Sequence, residues 1–189
     1  FVIDACAAPG TKTTHLAQLK NNEGKILACD VYQHKLGLIE DNCKRLGITS
    51  VEISLTDARE IGSRYFGQVD CLLVDAPCSG LGVLRRRPDS RWKKSLEQLK
   101  QLKKLQLEIL NGACDCLKPG GALIYSTCSI APEENIEVVR EFLETKPNFK
   151  PDSLGNYLPF PLEREEDRKA VKEGFIQLLP HIHGTDGFF

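Results

Sequence analysis

Hydrophobic positions in this chain fall into short β-branched runs, separated by longer segments in which apolar residues recur every three or four places. "FVIDA" (1–5), "KILACD" (25–30), "VEISL" (51–55), "VDCLLVDA" (69–76) and "ALIYS" (122–126) read as five strands. Residues 12–20, 33–46 and 95–117 read as helices; Gly47 stops the second, and the "KPGG" turn at 118–121 closes the third. Pro132, followed by Glu133 and Glu134, opens a further helix running to residue 146, since proline and acidic side chains suit a first helical turn. After an irregular, proline-bearing stretch at 147–161, "FIQLL" (175–179) and "GFF" (187–189) read as two short strands.

Strand–helix alternation predicts an α/β fold: a mainly parallel sheet with helices on both faces, finished by an antiparallel C-terminal strand. Ligands of such sheets bind beyond the carboxyl ends of the strands, near the point where strand order reverses. This chain places polar chemistry at those ends. Asp4 and Cys6 lie at the end of the first strand and Asp30 at the end of the second, while Asp57 follows the third. Asp75 and Cys78 stand at the end of the fourth, and Ser126-Thr127-Cys128 at the end of the fifth.

The 189 residues suit one domain with a substantial core, so 1–189 is read as a single catalytic domain. The chain opens on Phe1 inside an apolar run and contains no Met, which predicts an excised piece of a longer protein. No apolar run approaches the roughly 20 residues of a membrane span, so no membrane partner is expected. Eight cysteines without C-x-x-C spacing disfavour a disulfide framework or a metal site and favour a reduced, cytoplasmic setting. Cys29, Cys43 and Cys71 read as small buried hydrophobes, as do Cys114 and Cys116. The net charge of −1 hides an asymmetry: residues 85–104 carry +7 and the remainder −8. That basic stretch is either a phosphate-binding surface or a solvated helix face.

"DACAAPGTKT" (4–13) is a small-residue turn into a helix, which lets a ligand approach the backbone and the helix N-terminus. It matches neither the dinucleotide glycine fingerprint nor a P-loop. Asp30, twenty residues after Gly10, is placed to hold two ribose hydroxyls. With Asp57, these features suggest an adenosine-containing cofactor. Cys78 and Cys128 differ from the other thiols because each ends a strand among polar residues, and "STCS" lies shortly before a helix start whose field favours a thiolate. A carboxylate and two thiols around an adenosyl cofactor suit methylation of cytosine carbon 5. A thiolate adding to carbon 6 makes carbon 5 nucleophilic, a carboxyl near N3 stabilises the developing charge, and a second thiol assists elimination.

"DACAAPGTKTTHLA", "DAPCSGLG", "YSTCSIAPEENIE" and "HGTDGFF" together resemble the Sun-related family of RNA (cytosine-5)-methyltransferases across essentially the whole chain. "GVLRRRPDSRW" is similar to the bacterial small-subunit rRNA branch. The resemblance implies a class I methyltransferase (Rossmann-like) fold, S-adenosylmethionine as cofactor and RNA, in particular rRNA, as partner. It implies a cofactor site lined by Cys6, Ala7, Ala8, Pro9, Gly10, Thr11, Lys12, Asp30, Lys35, Asp57 and Asp75. Cys128 would be the nucleophile and Cys78 the releasing thiol, with Lys12 and Asp75 also touching the base. Thr11 departs from the glycine usual in the family, where a side chain would crowd the methionine end of the cofactor. Arg85, Arg86, Arg87, Arg91 and Trp92 are the expected RNA contacts, through phosphate pairing and base stacking. A monomer and an upstream RNA-binding domain are expected. Two alternatives share the fold. A DNA cytosine-5 methyltransferase would use the Pro-Cys thiol as nucleophile and would not need Thr127-Cys128. A non-catalytic RNA-binding or assembly module would not need Asp75, Cys78 and Cys128 intact.

Overall fold

Every residue of β1 (Val2–Asp4) and β2 (Ile26–Asp30) is buried, as continuous apolar runs require of strands covered on both faces. They pair in parallel, and β1 pairs on its other side with β4 (Val69–Asp75). β3 (Val51–Leu55) flanks β2, and β5 (Leu117–Ser126) flanks β4, giving a wholly parallel sheet of order β3-β2-β1-β4-β5. The computed structural model describes residues 1–189, apart from the side chains of Ser90 and Lys93. Among the described residues no helix is long and apolar enough to cross a membrane.

The chain forms two compact units, Phe1–Pro77 with Leu105–Ser126, and Cys78–Lys104 with Thr127–Phe189. The first holds the sheet, with α1 (Thr11–Leu19), α2 (Gln33–Arg45) and α3 (Ile61–Arg64). Ala17 of α1 packs with Val2 and Ile26, while Ile39 and Cys43 of α2 pack with Ala7 and Ala28. These contacts set the first two strand ends and the loop between β1 and α1 as one piece. α4 (Leu96–Ala113) runs through both units. The second unit carries α5 (Ile136–Thr145), α6 (Glu165–Lys172) and α7 (Pro180–His183), with 3-10 turns at Leu81–Val83, Pro88–Lys93, Pro132–Glu134 and Leu154–Asn156.

Three expectations need correction. "KPGG" does not precede β5 but bulges within it: Val69 pairs with Leu117 and Cys71 with Ala122, so the turn is an excursion between two paired segments. The helix expected from Pro132 begins as a 3-10 turn and becomes α-helical only at Ile136, because Asn135 between them is not helical (φ −116°, ψ −104°). The antiparallel C-terminal strand is reduced to a single bridge, Leu178 with Phe188. Pro180 starts α7 directly after this pairing, and Phe189 turns its backbone to Thr127, exchanging N–H···O bonds of 3.0 and 3.1 Å.

Candidate active site

In the first unit the loop after β1 lies across its neighbours: Ala5 N–H donates to the Leu73 carbonyl at 2.9 Å and Ala7 N–H to the Cys29 carbonyl at 2.8 Å. Gly10 caps α1 at φ +99°, and a Cβ there would stand 3.0 Å from Ile39 Cα, so both conformation and space call for glycine. No side chain caps α1, and its first residue, Thr11, is exposed. Asp30 accepts the Ala8 N–H at 3.3 Å and the Tyr32 N–H at 2.9 Å, tying the loop to the end of β2. Lys35 Nζ lies 4.3 Å from the centre of the Tyr32 ring.

Asp57 faces its own Arg59, accepting the backbone N–H at 2.9 Å and a guanidinium N–H at 2.7 Å. The Arg59 hydrogen bonds hold the Asp57 carboxyl below its usual range. Lys12 Nζ donates to Asp75 Oδ2 at 2.6 Å, and the Ser126 hydroxyl donates to Asp75 Oδ1 at 2.9 Å. These groups stand where the strand order reverses, between β1 and β4. Behind them, Asp4 accepts the Thr13 hydroxyl at 2.6 Å on Oδ2, while its buried Oδ1 has no hydrogen-bond partner among the described residues. Burial raises the Asp4 carboxyl from 3.8 to about 6. Burial, then the Asp4 and Asp30 charges, push the Cys6 thiol well above the ordinary range, which leaves it inert as a nucleophile.

In the second unit Cys78 Sγ and Cys128 Sγ are 3.3 Å apart. The hydrogen bond shared with Cys128, and then burial, push the Cys78 thiol far up, so it stays protonated at neutral pH. Cys128 is fixed by its backbone. Its carbonyl accepts the Gly82 N–H at 2.9 Å, and the Gly82 carbonyl accepts the Gly187 N–H at 2.8 Å. A Cβ on Gly82 would stand 2.8 Å from the Cys128 carbonyl oxygen and collide with the Gly187 carbonyl, so the close approach depends on glycine. "HGTDGFF" therefore packs against the Cys128 loop.

The expected RNA contacts divide into two groups. Arg85 and Arg86 pair with Asp186 at 3.0 and 2.7 Å. Trp92 is 82% exposed, with the Arg91 guanidinium 5.3 Å from its ring centre. Arg87 is exposed as well. Sequence reasoning missed Ser126 as the second holder of Asp75, Arg59 as the partner of Asp57, and Asp186 as the counter-charge in the basic stretch. It also treated Glu134 as a helix-opening acid, although Glu134 is fully buried.

A family model described as 16S rRNA methyltransferase RsmB/F matches residues 1–189. The chain is 44% identical, over its whole length, to the probable ribosomal RNA small subunit methyltransferase B of Bacillus subtilis, of which it covers 41%. It is 38% identical to the ribosomal RNA small subunit methyltransferase F of Escherichia fergusonii, again over its whole length and 38% of that protein. The chain thus spans about two-fifths of the length of the curated relatives it matches. The crystal structure of NSun6 from Pyrococcus horikoshii with SFG superposes over 100% of the chain and 46% of its own, at 34% identity and a TM-score of 0.84. The fold is that of a class I methyltransferase.

Proposed function

The chain belongs to the RsmB/F family of 16S rRNA methyltransferases, and from that premise we propose that it methylates carbon 5 of a cytosine in small-subunit rRNA, using S-adenosylmethionine. The observation that carries this reading is the pair of thiols 3.3 Å apart, each just beyond a strand of the sheet. A lone nucleophile needs no such partner. A second thiol within hydrogen-bond reach of the first can assist its departure after it has added.

The residues present fit the cofactor. The uncapped first turn of α1 offers backbone N–H donors to a carboxylate, and Asp30 stands at the end of β2 where ribose hydroxyls are held in this kind of sheet. Thr11 is exposed at the first position of that helix. Residues 6–12, Asp30, Lys35, Asp57 and Asp75 are the proposed holders, and the similar NSun6 carries SFG, an S-adenosylmethionine analogue, in its crystal structure. When bound, the cofactor supplies an electrophilic methyl group.

Cys128 Sγ bonds to cytosine carbon 6, which moves electron density to carbon 5. Asp75, oriented by Lys12 and Ser126, contacts the base at N3 and holds there a proton drawn from water as the Cys128 thiolate adds, which neutralises the charge that develops on the ring. After methyl transfer the C5 proton passes to water, its electron pair re-forms the 5,6 double bond and the Cys128 sulfur departs as thiolate. Cys78, holding its proton, hydrogen-bonds that departing sulfur. Arg85, Arg86, Arg87, Arg91 and Trp92 contact the RNA. The protein acts as a monomer in the cytoplasm.

The test is incubation with methyl-labelled S-adenosylmethionine and 16S rRNA, followed by bisulfite mapping. The reading expects label in RNA at a bisulfite-resistant cytosine. Label at another base or position, or no label in the RNA, would contradict it. Asp30→Ala should weaken cofactor binding markedly in calorimetry; unchanged affinity removes Asp30 from the site.

A further inference from the structure

Two loops of the second unit are tied to one buried carboxylate. Glu134 is 0% exposed, while its neighbour Glu133 is half-exposed as a helix-opening acid should be. Glu134 Oε1 accepts the Ser79 backbone N–H at 2.7 Å. Oε2 accepts the Ser129 hydroxyl at 2.5 Å and the Ser79 hydroxyl as well. The two hydroxyl oxygens lie 3.2 Å from each other. Ser79 directly follows Cys78, and Ser129 directly follows Cys128.

A carboxylate is withdrawn from water only at considerable cost unless donors surround it, and this one takes up three. A second ring of bonds keeps the Cys128 side in place. Asn135 Nδ2 donates to the Ser129 carbonyl at 2.9 Å, and the Thr127 hydroxyl donates to Asn135 Oδ1 at 2.5 Å. The knot therefore grips the residue behind each thiol, from loops fifty residues apart.

We propose that Glu134 is a positioning residue that sets the separation of the Cys78 and Cys128 sulfurs by holding Ser79 and Ser129 on one carboxylate. It touches no substrate. The proposal rests on the thiol roles proposed above only for its consequence: loosening the knot should lower the rate of a reaction that hands a proton's hydrogen bond from one sulfur to the other, because misplacement by about 1 Å can cost on the order of 100-fold. The geometric claim itself stands on the serines and the carboxylate alone.

The experiment measures thiol proximity in the intact protein with diamide. The diazene takes two electrons and two protons from the thiol pair, leaving one disulfide and one hydrazine. Peptide mapping by mass spectrometry follows the Cys78–Cys128 disulfide. The wild type should form it readily. Glu134→Gln keeps the side-chain shape but places N–H donors where acceptors are needed, and should slow cross-linking by about 10-fold or more, in line with a loss of positioning. Glu134→Asp should recover part of the rate. If Glu134→Gln fails to fold, Ser79→Ala and Ser129→Ala each remove one hydroxyl tie and should slow cross-linking by a smaller factor. Cross-linking at the wild-type rate in the folded variants would overturn the proposal, and so would a wild-type pair that resists diamide. In methyl transfer, Glu134→Gln should lower kcat with little change in KM for RNA; a KM effect alone counts against positioning. Failure of methyl transfer in the wild type would sink the proposed function but leave the cross-linking result to decide the role of Glu134.

Discussion

Asp75 and Glu134 are both carboxylates that accept a serine hydroxyl, yet one is open and the other sealed. Asp75 is 30% exposed and is held by Lys12 and Ser126 at the rim of the sheet. Glu134 is fully buried and gathers an N–H and two hydroxyls from the second unit. An open carboxylate can exchange a protein partner for a substrate group. A sealed one cannot do so without losing structure. In the proposed mechanism that difference separates a group that meets the base from a group that holds the thiol loops in place.

Glu134→Ala tests this separation most severely. It leaves a buried N–H and two hydroxyls without their acceptor and should lower stability by about 4 kcal/mol. Asp75→Ala should abolish methyl transfer while lowering stability by less than about 1 kcal/mol. Thermal denaturation of the two variants compares them, and equal losses would erase the distinction.

Asp4 is an intermediate case, buried like Glu134 but with one oxygen unpartnered. Its carboxyl is raised from 3.8 to about 6 by burial, so the folded state binds the proton more tightly than the unfolded state between those values. The associated stability is present below pH 3.8 and is lost as pH rises through about 6. By that linkage the loss amounts to about 3 kcal/mol. Asp4→Asn cannot ionise, so its stability relative to wild type should rise by about that amount across the window. Denaturant melts across the acidic range would show it; a pH-independent difference would mean that Asp4 ionises without penalty.

Gly82→Ala sharpens the comparison from the thiol side. The added methyl meets the Cys128 and Gly187 carbonyls and should destabilise by about 2 kcal/mol. Methyl transfer should fall, whereas cofactor affinity, whose proposed residues all lie in the first unit, should hold in calorimetry. A parallel loss of cofactor binding would show that the two sets of residues are not separable.

The smallest effect is expected at Asp186. Its partners Arg85 and Arg86 are more than half exposed, so Asp186→Asn should change stability by less than about 1 kcal/mol. Both arginines would then be available to phosphate, and the salt dependence of RNA binding should steepen by about one to two phosphate contacts. An unchanged slope would return the arginines to a structural pairing.

What the sequence made legible follows from distance along the chain. The parallel sheet showed in the five apolar runs, and Asp75, Cys78 and Cys128 stood out because each lies at or just past the end of a strand. Glu134 was hidden because the acid that opens a helix and the acid that joins two loops look alike until residues 55 positions apart are brought together. The pairing of Arg85 and Arg86 was hidden in the same way, since Asp186 lies about a hundred residues downstream. Turn chemistry was read correctly at "KPGG", but only pairing on both sides shows that the turn interrupts β5 rather than preceding it. At the C-terminus apolar residues suggested strands, and tertiary contacts took Phe189 to Thr127 instead.

The central claim is the division of labour between the thiols, and the most direct measurement is which alanine variant stays attached to RNA on a denaturing gel. With S-adenosylmethionine and rRNA present, Cys78→Ala should add, methylate and fail to release, giving a stable protein–RNA conjugate. Cys128→Ala, and the double variant, should give neither conjugate nor methylation. A conjugate from Cys128→Ala with an inert Cys78→Ala would reverse the assignment, and no conjugate from either would contradict covalent catalysis by this pair.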